Sequence, residues 1–218
     1  MNWEIWLPKL AKEFGLTLYM VGASTALTVL FGLPLGVILN LTASKGLSPK
    51  PALYKGLSAF VNIGRSLPFI ILLVAILPFT RILVGTTIGA AAAIPPLTLA
   101  AIPFFARIVE TALSEVDRGL LEAVQSMGGS LKDAVFKVLI PEAMPSLIAG
   151  VALTLISLIG YSAMAGAIGG GGLGDLAIRY GYQRRETGVM LITVVLLLAV
   201  VQAIQSLGSF LARKASKR

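Results

Sequence analysis

Residues 117–141 read DRGLLEAVQSMGGSLKDAVFKVLIP, a partly polar stretch set between two long hydrophobic runs. Its periodicity predicts two short helices, not a simple loop. Asp117 or Arg118 can open the first, whose apolar face is Leu120, Val124 and Met127, and Gly128-Gly129 supply the positive-φ residues that close it. Ser130 and Asp133 have capping-box spacing. Leu131, Ala134, Val135, Val138 and Leu139 then recur at i, i+3, i+4, i+7 and i+8 until Pro141 ends or bends the second helix. An apolar ridge of this kind beside a membrane must be buried against lipid headgroups, its own spans or a groove in a partner.

The rest of the chain supplies the membrane. Of 218 residues, 56% are hydrophobic and only 13% charged, too little polar surface to face water all round. The expectation is an all-α integral membrane protein with five transmembrane helices, because five apolar stretches reach the length of about 20 residues that a bilayer core requires. They are 16–41, 59–80, 84–106, 143–167 and 187–212. Residues 1–218 then form one transmembrane domain, with 118–141 as a cytoplasmic segment inside it. No basic region, short apolar core and small-residue cleavage site precede the first span, so it does not read as a cleaved signal peptide. Residues 1–14 suggest an interfacial helix anchored at headgroup level by Trp3 and Trp6.

Lys and Arg accumulate on the cytoplasmic side of a membrane protein, and here they divide unevenly. Lys45, Lys50, Lys55, Arg65, Arg107, Arg118, Lys132, Lys137, Arg213, Lys214, Lys217 and Arg218 fall on one side. Lys9, Lys12, Arg81, Arg179, Arg184 and Arg185 fall on the other. This places the amino terminus outside, and the carboxyl terminus and the 107–142 loop in the cytoplasm. The net charge of +8 is thereby a topology signal and gives no reason to invoke nucleic acid.

Pro34, Pro68, Pro78, Pro95, Pro96 and Pro103 should bend or break helices, which membranes tolerate where neighbours re-satisfy the backbone. Gly32 and Gly36 have GxxxG spacing, compatible with dimerisation or with ordinary close packing. No internal repeat suggests two inverted halves, so a symmetric pathway would need a second copy. No ionisable residue falls in the central part of any expected span, where proton relays and ion-coupled carriers keep theirs. The chain lacks His and Cys altogether, has no Walker A sequence, and carries its few carboxylates in loops. Metal sites, nucleophilic catalysis and ATP hydrolysis by this chain are accordingly not expected. Gly169, Gly171 and Gly174 satisfy G-x-G-x-x-G, but no strand precedes them, and the run 169–172 reads as the end of the fourth span. Near that end, Tyr161, Ser162 and Met164 interrupt the span with small and flexible side chains. Met164 either fills a core or forms a dry, deformable constriction where two copies meet.

The polar stretch resembles the coupling loop of bacterial ABC importer permeases: Glu-Ala-Ala, three residues, Gly, nine residues, Ile, one residue, Leu-Pro. Glu122, Ala123, Gly128 and Pro141 match at every spacing, and Val124, Val138 and Ile140 replace apolar residues by apolar ones. Ser66–Leu73, Ile76–Arg81, Gly160–Met164 and Gly171–Gly174 further resemble the methionine-uptake permeases. That resemblance implies a type I importer permease working as a homodimer. It implies two cytoplasmic ATPase subunits, which bind the ATP and Mg, and an extracytoplasmic substrate-binding lipoprotein. It also implies an inner-membrane setting among lipid, no cofactor in this chain, and roles for two sets of residues. Leu120, Glu122, Ala123, Val124, Met127, Gly128 and Pro141 would couple to the ATPase, and Tyr161, Ser162 and Met164 would close the pathway at the dimer axis. A permease for another small amino acid or derivative, an ion-coupled carrier, and an assembly factor or receptor are the competing readings.

Overall fold

The computed structural model describes residues 3–216, and every regular element among them is a helix. Lys217, Arg218 and the side chain of Trp3 lie outside what is described. Four of the helices are long and apolar enough to cross a membrane, and one bent pair of shorter helices reaches that length and apolarity only when its two halves are taken together.

Helix α1 runs unbroken from Trp3 to Thr42, through Pro8 and Pro34. At about 1.5 Å per residue, its 40 residues are twice the thickness of a bilayer core. The separate interfacial helix expected for residues 1–14 is therefore absent: those described continue straight into the first span. Trp6 is not a free-standing anchor. Its ring meets Tyr180 edge-on at 5.2 Å, and Lys9 Nζ lies over both rings.

The second span differs from the single helix expected over 59–80. Helix α2 (Pro51–Ser66) stops at Leu67, α3 (Phe69–Ala75) leaves at 101°, and α4 (Leu77–Val84) follows after a kink at Ile76. Pro68 is the cause. Its ring crowds the preceding residue out of helical space, and Leu67 is extended, with φ −76° and ψ 125°. The third span, α5, covers Ala90–Ser114, starting and ending later than the hydropathy suggests. Helix α9 (Met144–Ala165) and α11 (Thr187–Ser216) sit where the fourth and fifth spans were expected.

Close packing joins α1 to α5. A Cβ on Gly36 would overlap Val109, and one on Gly32 would press on Phe105. The GxxxG spacing thus serves contact within the subunit. Since lipid chains are as apolar as the side chains, van der Waals fit of this kind, more than escape from water, holds such helices together. Of the buried clusters that result, the first is formed by Met20, Phe69, Leu73, Leu97 and Leu158, and the second by Phe105, Val109, Leu113, Val135, Leu139 and Leu147. The second core includes residues of the 117–142 segment, so that segment is built into the membrane domain and does not hang below it.

Candidate functional site

The segment after α5 consists of α6 (Arg118–Ser126), α7 (Leu131–Asp133), a π-wound stretch Ala134–Leu139, and α8 (Ile140–Glu142). Its boundaries are chemically written. Asp117 is extended, and its Oδ1 accepts from Gly119 N at 2.8 Å, capping α6. At the other end Gly128 takes φ +76°, and Gly129 N returns to Val124 O at 2.9 Å. Ser130 and Asp133 form the full capping box, each side chain accepting from the other's backbone N–H. Lys137 Nζ, 2.6 Å away, and the Ser130 donors hold the Asp133 carboxyl below the ordinary carboxylate range. Ile140 N bonds back five residues to Val135 O, winding the chain past Pro141.

What α6 buries is not what the sequence pattern selects. Leu121, unremarked in that pattern, packs with Val116 on the inner core. Of the expected ridge, Val124 is half-buried beside Gly129, whereas Leu120 is 42% and Met127 79% exposed. Glu122 and Ala123 are exposed as well. One face of α6 is thus bolted to its own spans and the other is presented outward. Arg118 Nη2 donates to Lys45 O at 3.1 Å, tying the start of α6 to the turn that follows α1. A cavity of about 630 Å³ lies beneath, lined in part by Asn40, Lys45, Glu122 and Gln125.

In the 161–164 stretch, Tyr161 stacks on Phe69 of α3, with centroids 4.7 Å apart and planes within 9°. Ser162 is buried inside the subunit, its hydroxyl donating to Ile159 O at 2.8 Å. Met164 is 46% exposed. The structure therefore sets Met164 at the surface and Tyr161 against the break, and turns Ser162 away from both. Beyond Ala165 the helix breaks at Ile168 and Gly169 before α10 (Gly172–Leu176). Gly172 N donates to Glu13 Oε2 at 2.7 Å and Leu173 N to Thr17 Oγ1 at 2.9 Å. The G-x-G-x-x-G match is a helix break fastened to α1.

One polar group escaped the sequence pattern. Glu110 is 7% exposed, because α5 runs eight residues past the expected end at 106. Its carboxylate pairs with Arg107 and accepts from Tyr54 Oη at 3.0 Å. Arg107 Nη2 donates to Ser58 Oγ at 2.9 Å and Asn62 Oδ1 at 2.8 Å. This seam fastens α2 to α5 near the end of α5. The signal was present as Arg107-x-x-Glu110 opposite Tyr54, Ser58 and Asn62, which are spaced by four along α2. Among the described residues, no group of three or more His, Cys, Asp or Glu side chains could hold a metal ion.

Residues 32–217 match the family described as "Binding-protein-dependent transport system inner membrane component". The "Probable D-methionine transport system permease protein MetI" of Vibrio cholerae is 53% identical over 93% of this chain and 90% of that protein. The "Methionine import system permease protein MetP" of Bacillus subtilis is 47% identical over 83% of this chain and 82% of its own. A solved structure of the MetNI methionine ABC transporter in an inward-facing conformation superposes with a TM-score of 0.95 at 46% identity, covering 99% of both chains.

Proposed function

The chain belongs to the inner-membrane components of binding-protein-dependent transport systems, and from that premise we infer that it is the permease subunit of an ATP-driven ABC importer for methionine. It is a multi-pass inner-membrane protein of the type I permease fold and is not itself an enzyme. The observation that carries the methionine reading is the agreement over 99% of both chains with the permease of the MetNI transporter. Two copies of the chain form the pathway. Two cytoplasmic ATPases bind ATP and Mg and drive it, and an extracytoplasmic lipoprotein delivers the substrate. The amino terminus lies outside and the carboxyl terminus in the cytoplasm, as the distribution of Lys and Arg favours.

In this reading α6 is the mechanical link. The exposed Leu120, Glu122, Ala123 and Met127 enter a groove of the ATPase, while Leu121 and Val116 hold the same helix to the inner core. A displacement of the ATPase then moves α5, α9 and the π-wound stretch as one body, because a capped helix and a close-packed core do not absorb it. Rocking of the two subunits about their shared axis opens the pathway outward and inward in turn. Met164 seals it, and the Tyr161–Phe69 stack ties that seal to the broken span.

Uptake of radiolabelled methionine into proteoliposomes holding the permease, its ATPase, the binding protein and internal ATP tests the reading. ATP-dependent uptake in the wild type and a loss of about tenfold or more in Glu122→Lys, with normal membrane insertion, are the expected results. ATP turnover without methionine uptake would keep the importer and reject the substrate. Uptake driven by an ion gradient in the chain alone would replace the importer by a carrier.

A further inference from the structure

We propose that the groove between α9 and α11 is a binding site for one phospholipid of the cytoplasmic leaflet, specifically an ethanolamine phospholipid, whose headgroup carries both a phosphate and an amine. Two adjoining cavities make up the groove. The first, about 400 Å³, lies among Val29, Leu33, Phe105, Val151 and Leu207, and every side chain around it is apolar. The second, about 640 Å³, contains Glu142 and Lys214. Met144, Ile148 and Leu211 line both, so the apolar slot runs without a break into the charged mouth.

The slot itself offers no partner to a charge, and placing one there carries a cost that keeps charges out of such sites. An acyl chain brings none. Leu207, Leu211 and Met144 are 59%, 42% and 39% exposed, which places the groove on the outer flank of spanning helices, where lipid chains are the surrounding medium. Gly208 makes the groove possible. It sits directly against Ala152, so α11 crosses α9 at close range there, and the larger side chains on either side of the crossing leave the slot between them.

The mouth names the headgroup. Lys214 and Arg213 close α11, and a lone basic residue at such an end is an ordinary membrane flank. Here a carboxylate, Glu142, faces the same cavity, and among the described residues neither Glu142 nor Lys214 forms an ion pair or hydrogen bond. A headgroup with phosphate and ammonium satisfies both, phosphate toward Lys214 and ammonium toward Glu142. A glycerol headgroup satisfies only the lysine and leaves the carboxylate repelled by the phosphate.

The test uses the permease purified with its ATPase in mild detergent. The complex is offered equal amounts of ethanolamine and glycerol phospholipids with identical acyl chains, and bound lipid is read by native mass spectrometry. The expected result is one ethanolamine lipid held per subunit. Lys214→Glu should weaken retention by about fivefold, the effect of one basic residue at a headgroup. The exchange Lys214→Glu with Glu142→Lys should restore it. Leu207→Trp, which fills the slot, should abolish retention with the mouth intact, while Ile82→Trp on another exposed face changes nothing. Equal retention of both lipids, or no rescue by the exchange, would overturn the proposal even if Leu207→Trp failed to assemble. So would cross-linking of Leu207→Cys between subunits, which would show a second copy in the groove. The chain has no other cysteine to confuse that reading.

Discussion

Two glycine-broken helix junctions in this molecule are held in opposite ways. The 117–142 segment is closed by its own neighbours: Asp117 caps Gly119, Ser130 and Asp133 cap each other, and Gly129 returns to Val124. The junction at Gly166–Leu176 is held by residues more than 150 positions away, Glu13 and Thr17 on α1, and by Gly89 N, which donates to Gly169 O. The first is held in shape largely by contacts local in sequence. The second keeps its shape only where α1 lies against it, so it reports the packing of the whole subunit.

Gly172→Val should break that contrast most severely. Gly172 has φ +83°, and a Cβ there would come within 2.7 Å of Thr17 Oγ1 and 2.8 Å of Met20 Cε. A cost of about 3 kcal/mol is expected, read as a lower thermal midpoint of the purified subunit in detergent. Glu13→Ala comes next. It leaves the buried Gly172 N–H without an acceptor, at about 2 kcal/mol, and should raise amide exchange at the distant Gly172 as well as around residue 13. If exchange rises only near residue 13, the long-range tether is not what holds the junction.

The 117–142 segment should respond more mildly and more locally. Gly128→Ala places a side chain in open space, so only the positive φ opposes it, at about 1 kcal/mol. Ser130→Ala removes the cap of α7 for a similar cost of about 1 kcal/mol, with faster exchange confined to the turns around 130–139. The smallest effect is that of pH. Because the folded Asp133 carboxyl titrates below its ordinary value of 3.8, its contribution is present above that value and is lost as pH falls from there toward the depressed one. Amide exchange at residues 130–134 should be steady near neutrality and rise only in acid below about pH 4. A rise nearer pH 6 would show that another group closes this helix.

Much of this was legible in order. In the 117–141 segment the caps and the Gly128 turn were read, because they are local, whereas the buried face of α6 was not, and the fourth and fifth spans were read from their hydropathy. The second span was read as one helix because an apolar count does not register the bend that Pro68 forces on Leu67. Helix α5 was cut at Arg107, since a charged residue normally marks the end of a span. Here Arg107 and Glu110 neutralise each other against Tyr54 and the helix continues.

Composition, periodicity and motif spacing were enough to determine a membrane-embedded, all-helical chain with a structured segment between its spans, because hydropathy and capping act over a few residues. Only the tertiary structure decided which side of α6 faces its own core, where Ser162 turns its hydroxyl, and that Glu13 and Thr17 hold a junction at the far end of the chain. Each of these depends on which helices lie side by side. Helix neighbours in a bilayer are selected by close packing and by satisfaction of buried polar groups, and neither has a fixed spacing in sequence.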